Sequence, residues 1–102
     1  MQELIASRRE EIAALCRKYH VRRLTVFGSA IREDFDPMRS DVDLRVEFET
    51  LAPEEYAANY FALREAFVNL FNRKVDLLSV REIRNPYLRE EIEATQETLY
   101  AA

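Results

Sequence analysis

Asp41 and Asp43 stand at the head of a segment, residues 41–49, in which charged and apolar residues alternate without a break. Successive side chains on a strand point to opposite faces, so the two carboxylates share one face, about 7 Å apart at ~3.3 Å rise per residue. Paired carboxylate oxygens are hard ligands of the kind Mg²⁺ takes, and Mg²⁺ draws the rest of its shell from water and substrate phosphates. Glu47 and Glu49 lie on the same face, so the pair also fits a plain solvated acidic strand. Gly28, the one glycine of the chain, closes a short β-rich run and is followed by Ser29. Glycine lets backbone approach a phosphate closely, and free N–H groups at a helix start attract anions. An ordinary strand-to-helix turn with Ser29 as N-cap accounts for the same two residues. Asp76 interrupts an apolar run, Val75-Asp76-Leu77-Leu78. If its strand lies beside residues 41–49, three carboxylates come together. One metal ion could then activate a nucleophile and a second steady a leaving pyrophosphate. If it does not, Asp76 is a surface acid on an edge strand.

The elements that must position these groups follow from periodicity. Residues 1–19 read as an amphipathic helix with Leu4, Ile5, Ile12, Leu15, Cys16 and Tyr19 at helical spacing. Residues 23–28 form a short strand, and the polar stretch 29–40 begins with a candidate helical turn. Residues 41–49 are a half-buried strand, with Val42, Leu44, Val46 and Phe48 on its apolar face. Pro53, with Glu54 and Glu55 behind it, opens a second helix, because proline suits the first turn and acids suit the N-terminal dipole. Its expected buried stripe is Tyr56, Tyr60, Leu63, Phe67 and Leu70. Residues 74–80 make a third strand. Asn85-Pro86 is an N-cap and first helical residue, and a last helix runs towards Leu99 with Leu88, Ile92 and Leu99 as apolar positions. The expected fold is α/β (α+β): a small three-stranded mixed sheet with helices backing one face, in the order α-β-(turn/α)-β-α-β-α.

Length and composition bound the remaining possibilities. With 102 residues, 48% of them hydrophobic, the chain suits a single domain over 1–102 with one core. No apolar run approaches the roughly 18 residues of a membrane span, and the first residues lack the order of a signal peptide. One cysteine, Cys16, forms no internal disulfide, so a cytoplasmic setting is expected. The net charge of −4 is unevenly spread: residues 1–23 carry +3 and residues 24–60 carry −6. An acidic chain makes a poor general nucleic-acid binder, whereas an acidic middle suits cations. His20 follows a helix among basic residues and is read as favourable to the helix dipole. With no second Cys or His cluster, zinc is not expected.

Taken together, Gly28-Ser29, a spacer of eleven residues, and Asp41-Val42-Asp43 resemble the signature of the DNA-polymerase-β-like nucleotidyltransferase superfamily. Chain length and the words around it, from Phe27 to Phe48, Lys74-Val75-Asp76-Leu77 and Asn85-Pro86-Tyr87-Leu88, resemble its minimal nucleotidyltransferase (MNT) family. The resemblance spans essentially the whole chain. It implies that Gly28, Ser29, Arg32 and Ser40 bind the nucleotide, and that Asp41, Asp43 and Asp76 are the catalytic and metal-binding carboxylates for two Mg²⁺ ions, with ATP as substrate. It further implies a helical HEPN-domain partner, with the MNT protein acting as antitoxin by transferring AMP to a hydroxyl, expected to be tyrosine, of that toxin. Members often have glycine after the arginine, whereas Glu33 and Asp34 follow Arg32 here, which is less favourable beside a triphosphate.

Two other function classes stay open at this point. The chain could be a non-catalytic binding antitoxin that neutralises its HEPN partner by complex formation. Modification of a small molecule is the weaker alternative, because such enzymes carry an extra acceptor domain. The basic residues Arg8, Arg9, Arg17, Lys18, Arg22 and Arg23 read as a solvated face that could dock an acidic partner or RNA.

Overall fold

The alternation in the middle of the chain produces its central strand. In a computed structural model that describes residues 3–28, 41–79 and 85–102, β2 (Val42–Phe48) buries Val42, Leu44 and Val46 completely and leaves Asp43, Arg45 and Glu47 half-buried on the other face. β1 (Val21–Phe27) runs antiparallel beside it, with Val26 opposite Leu44 and Phe27 opposite Asp43. β3 (Val75–Ser79) lies on the other side, parallel, with Asp43 opposite Asp76. Parallel neighbours need a crossover, and α3 (Pro53–Phe71) supplies it.

β4 (Glu97–Ala101) pairs antiparallel with the free side of β1, giving a four-stranded mixed sheet in the order β3-β2-β1-β4. This corrects the expected three-stranded sheet and the helix expected to reach Leu99. α4 (Pro86–Thr95) stops at Thr95. The residues that follow, Glu97, Thr98, Tyr100 and Ala101, pair with the side of β1 that would otherwise form an open edge. The start of α4 is as expected: the Asn85 side-chain oxygen accepts the Tyr87 N–H at 2.9 Å. The side chain of Leu88 and the turn expected within 29–40 lie outside the described residues.

α1 (Glu3–Ala6) and α2 (Arg9–Lys18) replace the single helix expected over 1–19, with a turn at Ser7 and Arg8. The stripe is nevertheless the expected one: Ile5, Ile12 and Cys16 are fully buried and Leu4, Leu15 and Tyr19 pack around them. In α3 the buried positions are Leu63, Phe67 and Phe71, with Tyr60 and Leu70 partly buried beside them. These helices and the apolar sheet face make one core. A second correction concerns α4, which does not join that layer. Its Ile92 packs with Phe27 and Leu78 on the opposite, charged face of the sheet. Among the described residues no helix is long and apolar enough to cross a membrane.

Two consequences of this packing are measurable. Tyr60 Oη donates to the Leu77 carbonyl at 2.6 Å, tying α3 to the strand that bears Asp76. Tyr60→Phe is expected to lower stability by about 0.5–1.5 kcal/mol in urea unfolding, the usual net value of such a bond. Burial pushes the Cys16 thiol up from 9.0 to about 12. The native thiol therefore stays protonated and unreactive to iodoacetamide at mildly alkaline pH, and labelling should require unfolding. Between pH 9.0 and about 12 the unfolded thiol ionises while the native one does not, so the unfolded state binds fewer protons and stability falls as pH rises.

Candidate active site

The site is assembled at one end of the β1–β2–β3 ladder. β1 ends at Phe27, and Gly28 turns the chain with φ +70°, a left-handed conformation that glycine adopts without strain. A Cβ placed on Gly28 would stand 2.5 Å from Asp43 Oδ2 and 3.3 Å from Asp43 Cγ. The turn thus rests directly against the Asp43 carboxylate, and only a residue without a side chain leaves both in place.

The strand register carries Asp76 to the same place, as the Cα partner of Asp43 on β3. Asp76 is exposed, facing away from buried Val75 and Leu77, so it is both an edge-strand acid and a neighbour of Asp43. Asp41 stands two residues before Asp43, on the same face, at the mouth of the ladder. Lys74 anchors it there: the Lys74 carbonyl accepts the Val42 N–H at 3.2 Å, and Lys74 Nζ lies 3.9 Å from Asp41 Oδ2. The sequence places Lys74 at the start of the third strand but gives it no role in the site. Its position just before an Asp-bearing strand was the available signal. The three aspartates share a sheet face, yet among the described residues no three His, Cys, Asp or Glu side chains are gathered around one point as ligands of an ion. Ser29, Arg32 and Ser40 lie outside the described residues.

Antiparallel β1 and parallel β3 flank an Asp-x-Asp strand, and a left-handed Gly turn lies against the second Asp. Residues 10–102 match the family described as Polymerase beta, Nucleotidyltransferase. The chain belongs to this nucleotidyltransferase family. Two Methanocaldococcus jannaschii proteins that carry the name protein adenylyltransferase are 34% and 36% identical to it, each over 76 residues and 74% of both chains. A solved minimal nucleotidyltransferase is 32% identical, with a TM-score of 0.71 over 93% of this chain and 92% of its own. A nucleotidyltransferase fold also appears in a Shewanella oneidensis complex of a tri-AMPylated HEPN toxin with its MNT antitoxin. There the TM-score is 0.64 at 19% identity, over 95% of this chain and 72% of that one, a likeness of fold.

Arg45 and Glu47 lie on the same face, farther along β2 from Gly28, with Arg23 of β1 near them. His20 is not part of the site. It follows Tyr19, the C-cap of α2, with φ +60°, and its Nδ1 lies 3.9 Å from Glu49 Oε2, with both side chains exposed.

Proposed function

We propose that this nucleotidyltransferase transfers AMP from ATP to a hydroxyl of a HEPN-domain partner, a tyrosine in the fullest form of the reading, and so acts as the antitoxin of that partner. One observation carries the chemistry: the Asp43–Asp76 register sets two carboxylates side by side, with Asp41 on the same face and the Gly28 turn in contact with Asp43. The named relatives and the AMPylated toxin complex support the choice of AMP and of a protein acceptor.

The donor set suits Mg²⁺ in kind, being carboxylate oxygens beside a turn that a side chain would fill, although the three are not gathered around one point. Asp41, Asp43 and Asp76 would hold it. When bound, Mg²⁺ would neutralise charge on the phosphates and acidify the attacking hydroxyl. Gly28 would let the backbone approach the triphosphate closely, and Ser29, Arg32 and Ser40, outside the described residues, would bind it as the family resemblance implies. Asp76, open to solvent, accepts the hydroxyl proton. The acceptor oxygen forms a bond to the α-phosphorus, the bond from that phosphorus to the bridging oxygen breaks, and pyrophosphate leaves. Catalysis is then mainly orientation and electrostatic preorganisation.

Label transfer tests the reading. Purified protein, Mg²⁺, a HEPN partner and ATP labelled at the α- or γ-phosphate should place α-label alone on the partner. Label from the γ-position would replace nucleotidyl transfer with a kinase reaction. Neutralisation without label from either position would make the protein a binding antitoxin.

A further inference from the structure

Beyond the aspartates, the charged sheet face holds a hollow of about 40 Å³, open to solvent and lined by Arg23, Thr25, Arg45, Glu47 and Gln96. Thr25 is 3% exposed, and its Oγ1 is buried with no hydrogen-bond partner. A buried hydroxyl without a partner is costly and points to something that completes it. The two arginines are under-satisfied in the same direction. Among the described residues Arg45 Nη1 reaches the neutral Gln96 Oε1 and Arg23 Nη2 the neutral Thr98 Oγ1, each at 3.4 Å and beyond good hydrogen-bond length. The carboxylate in the hollow, Glu47, is drawn instead to Arg22, 3.6 Å away. Two guanidiniums and a donor hydroxyl therefore border a space whose one lining carboxylate, Glu47, is shared with Arg22.

We propose that this hollow is a phosphate-binding subsite of the transfer site. Guanidinium forks match phosphate oxygens in pairs, and the Thr25 hydroxyl can donate to a further oxygen. The subsite's place follows from strand order. Thr25 is the Cα partner of Arg45, as Phe27 is of Asp43, so the subsite lies two residues along β2 from Asp43, away from Gly28. In an in-line displacement the attacking and leaving groups stand on opposite sides of the phosphorus. A triphosphate resting at Gly28 puts the acceptor on the Arg45 side. The phosphate bound there is then one already attached to the acceptor, such as the phosphodiester of a first AMP. A phosphate of the free nucleotide is the other source of the same chemistry. This inference rests on the proposed transfer reaction for its role, but not for the existence of the site.

The test is a ¹⁵N NMR titration of the full chain with sodium phosphate against sodium chloride of equal ionic strength, without Mg²⁺. Saturable shifts of the Thr25 amide and Arg45 Nε are expected, lost in Arg45→Gln and weakened roughly tenfold in Thr25→Val, which keeps shape and removes the donor. Shifts identical to those in chloride, in a protein whose variants melt normally, would mean that the hollow holds water only and overturn the proposal. Two further arms separate the sources. If Arg45→Gln leaves ATP binding intact but halts transfer after one AMP, the phosphate is the acceptor's. If it weakens ATP binding, the phosphate is the nucleotide's. Wild-type protein that binds phosphate here but transfers no α-label would sink the transfer reading alone. Transfer without phosphate binding here would sink the subsite alone.

Discussion

Asp43→Asn is expected to lower nucleotidyl transfer on the order of 10²–10³-fold, the usual cost of deleting one preorganised electrostatic group. Among the three aspartates this one has the most neighbours. It pairs in register with Phe27 on one side and Asp76 on the other, and the Gly28 turn lies against its carboxylate. Asparagine keeps size and planarity, so the half-buried position on β2 is filled as before and the core behind it is untouched. The charge is what disappears, and with it one of the anionic oxygens that would draw a divalent ion. Single-turnover transfer of α-label, with thermal melting of the same sample, separates chemistry from folding. The expected result is a melting temperature close to the wild type's, since asparagine fills the same space and keeps hydrogen-bonding atoms at that position. Full activity in this variant would remove Asp43 from the mechanism and favour neutralisation by binding.

Gly28→Ala is expected to harm the protein twice. At φ +70° the added Cβ costs about 1–2 kcal/mol in backbone strain alone. Each kcal/mol lowers the melting temperature of a domain of this size by roughly 4–8 °C. The Cβ also stands 2.5 Å from Asp43 Oδ2, closer than the two atoms can approach, so the carboxylate or the turn must move. Displacing a reacting group by ~1 Å can cost on the order of 10²-fold in rate. The two effects are separable because only one involves Asp43. With Asp43→Asn already present, Gly28→Ala should still lower the melting temperature but add little further loss of transfer, a non-additivity expected of groups in contact. Equal fold-losses in both backgrounds would show that Gly28 acts through the phosphate turn and not through Asp43.

Much of this arrangement is local and therefore legible in the chain. The period-two pattern of residues 41–49 fixes which face of β2 is buried, because Val42, Leu44 and Val46 have one apolar side to hide. Pro53 and the acids after it mark the start of α3, and Asn85-Pro86 marks the start of α4. The Asp-x-Asp spacing and the lone glycine follow from residue order alone, and so does the family they suggest.

What only the folded chain decided is which segments become neighbours. Periodicity says that a strand has a buried face, but not which strand lies beside it or in what direction. The alignment of Asp76 with Asp43 therefore depends on α3 returning the chain to a parallel position. The last five residues of the sheet, β4, are too short to separate a strand from a helix end by pattern. Their state is set by the unpaired backbone of β1, more than seventy residues earlier in the chain. That pairing also ends α4 early and leaves its Ile92 on the charged face with Phe27 and Leu78. The Lys74 contact to Asp41 and the unpartnered Thr25 hydroxyl beside Arg45 arise in the same way, from side chains that meet only when distant segments pair. Local sequence encodes what each segment must bury, and the long-range pairing of backbone groups decides which polar side chains are left facing one another.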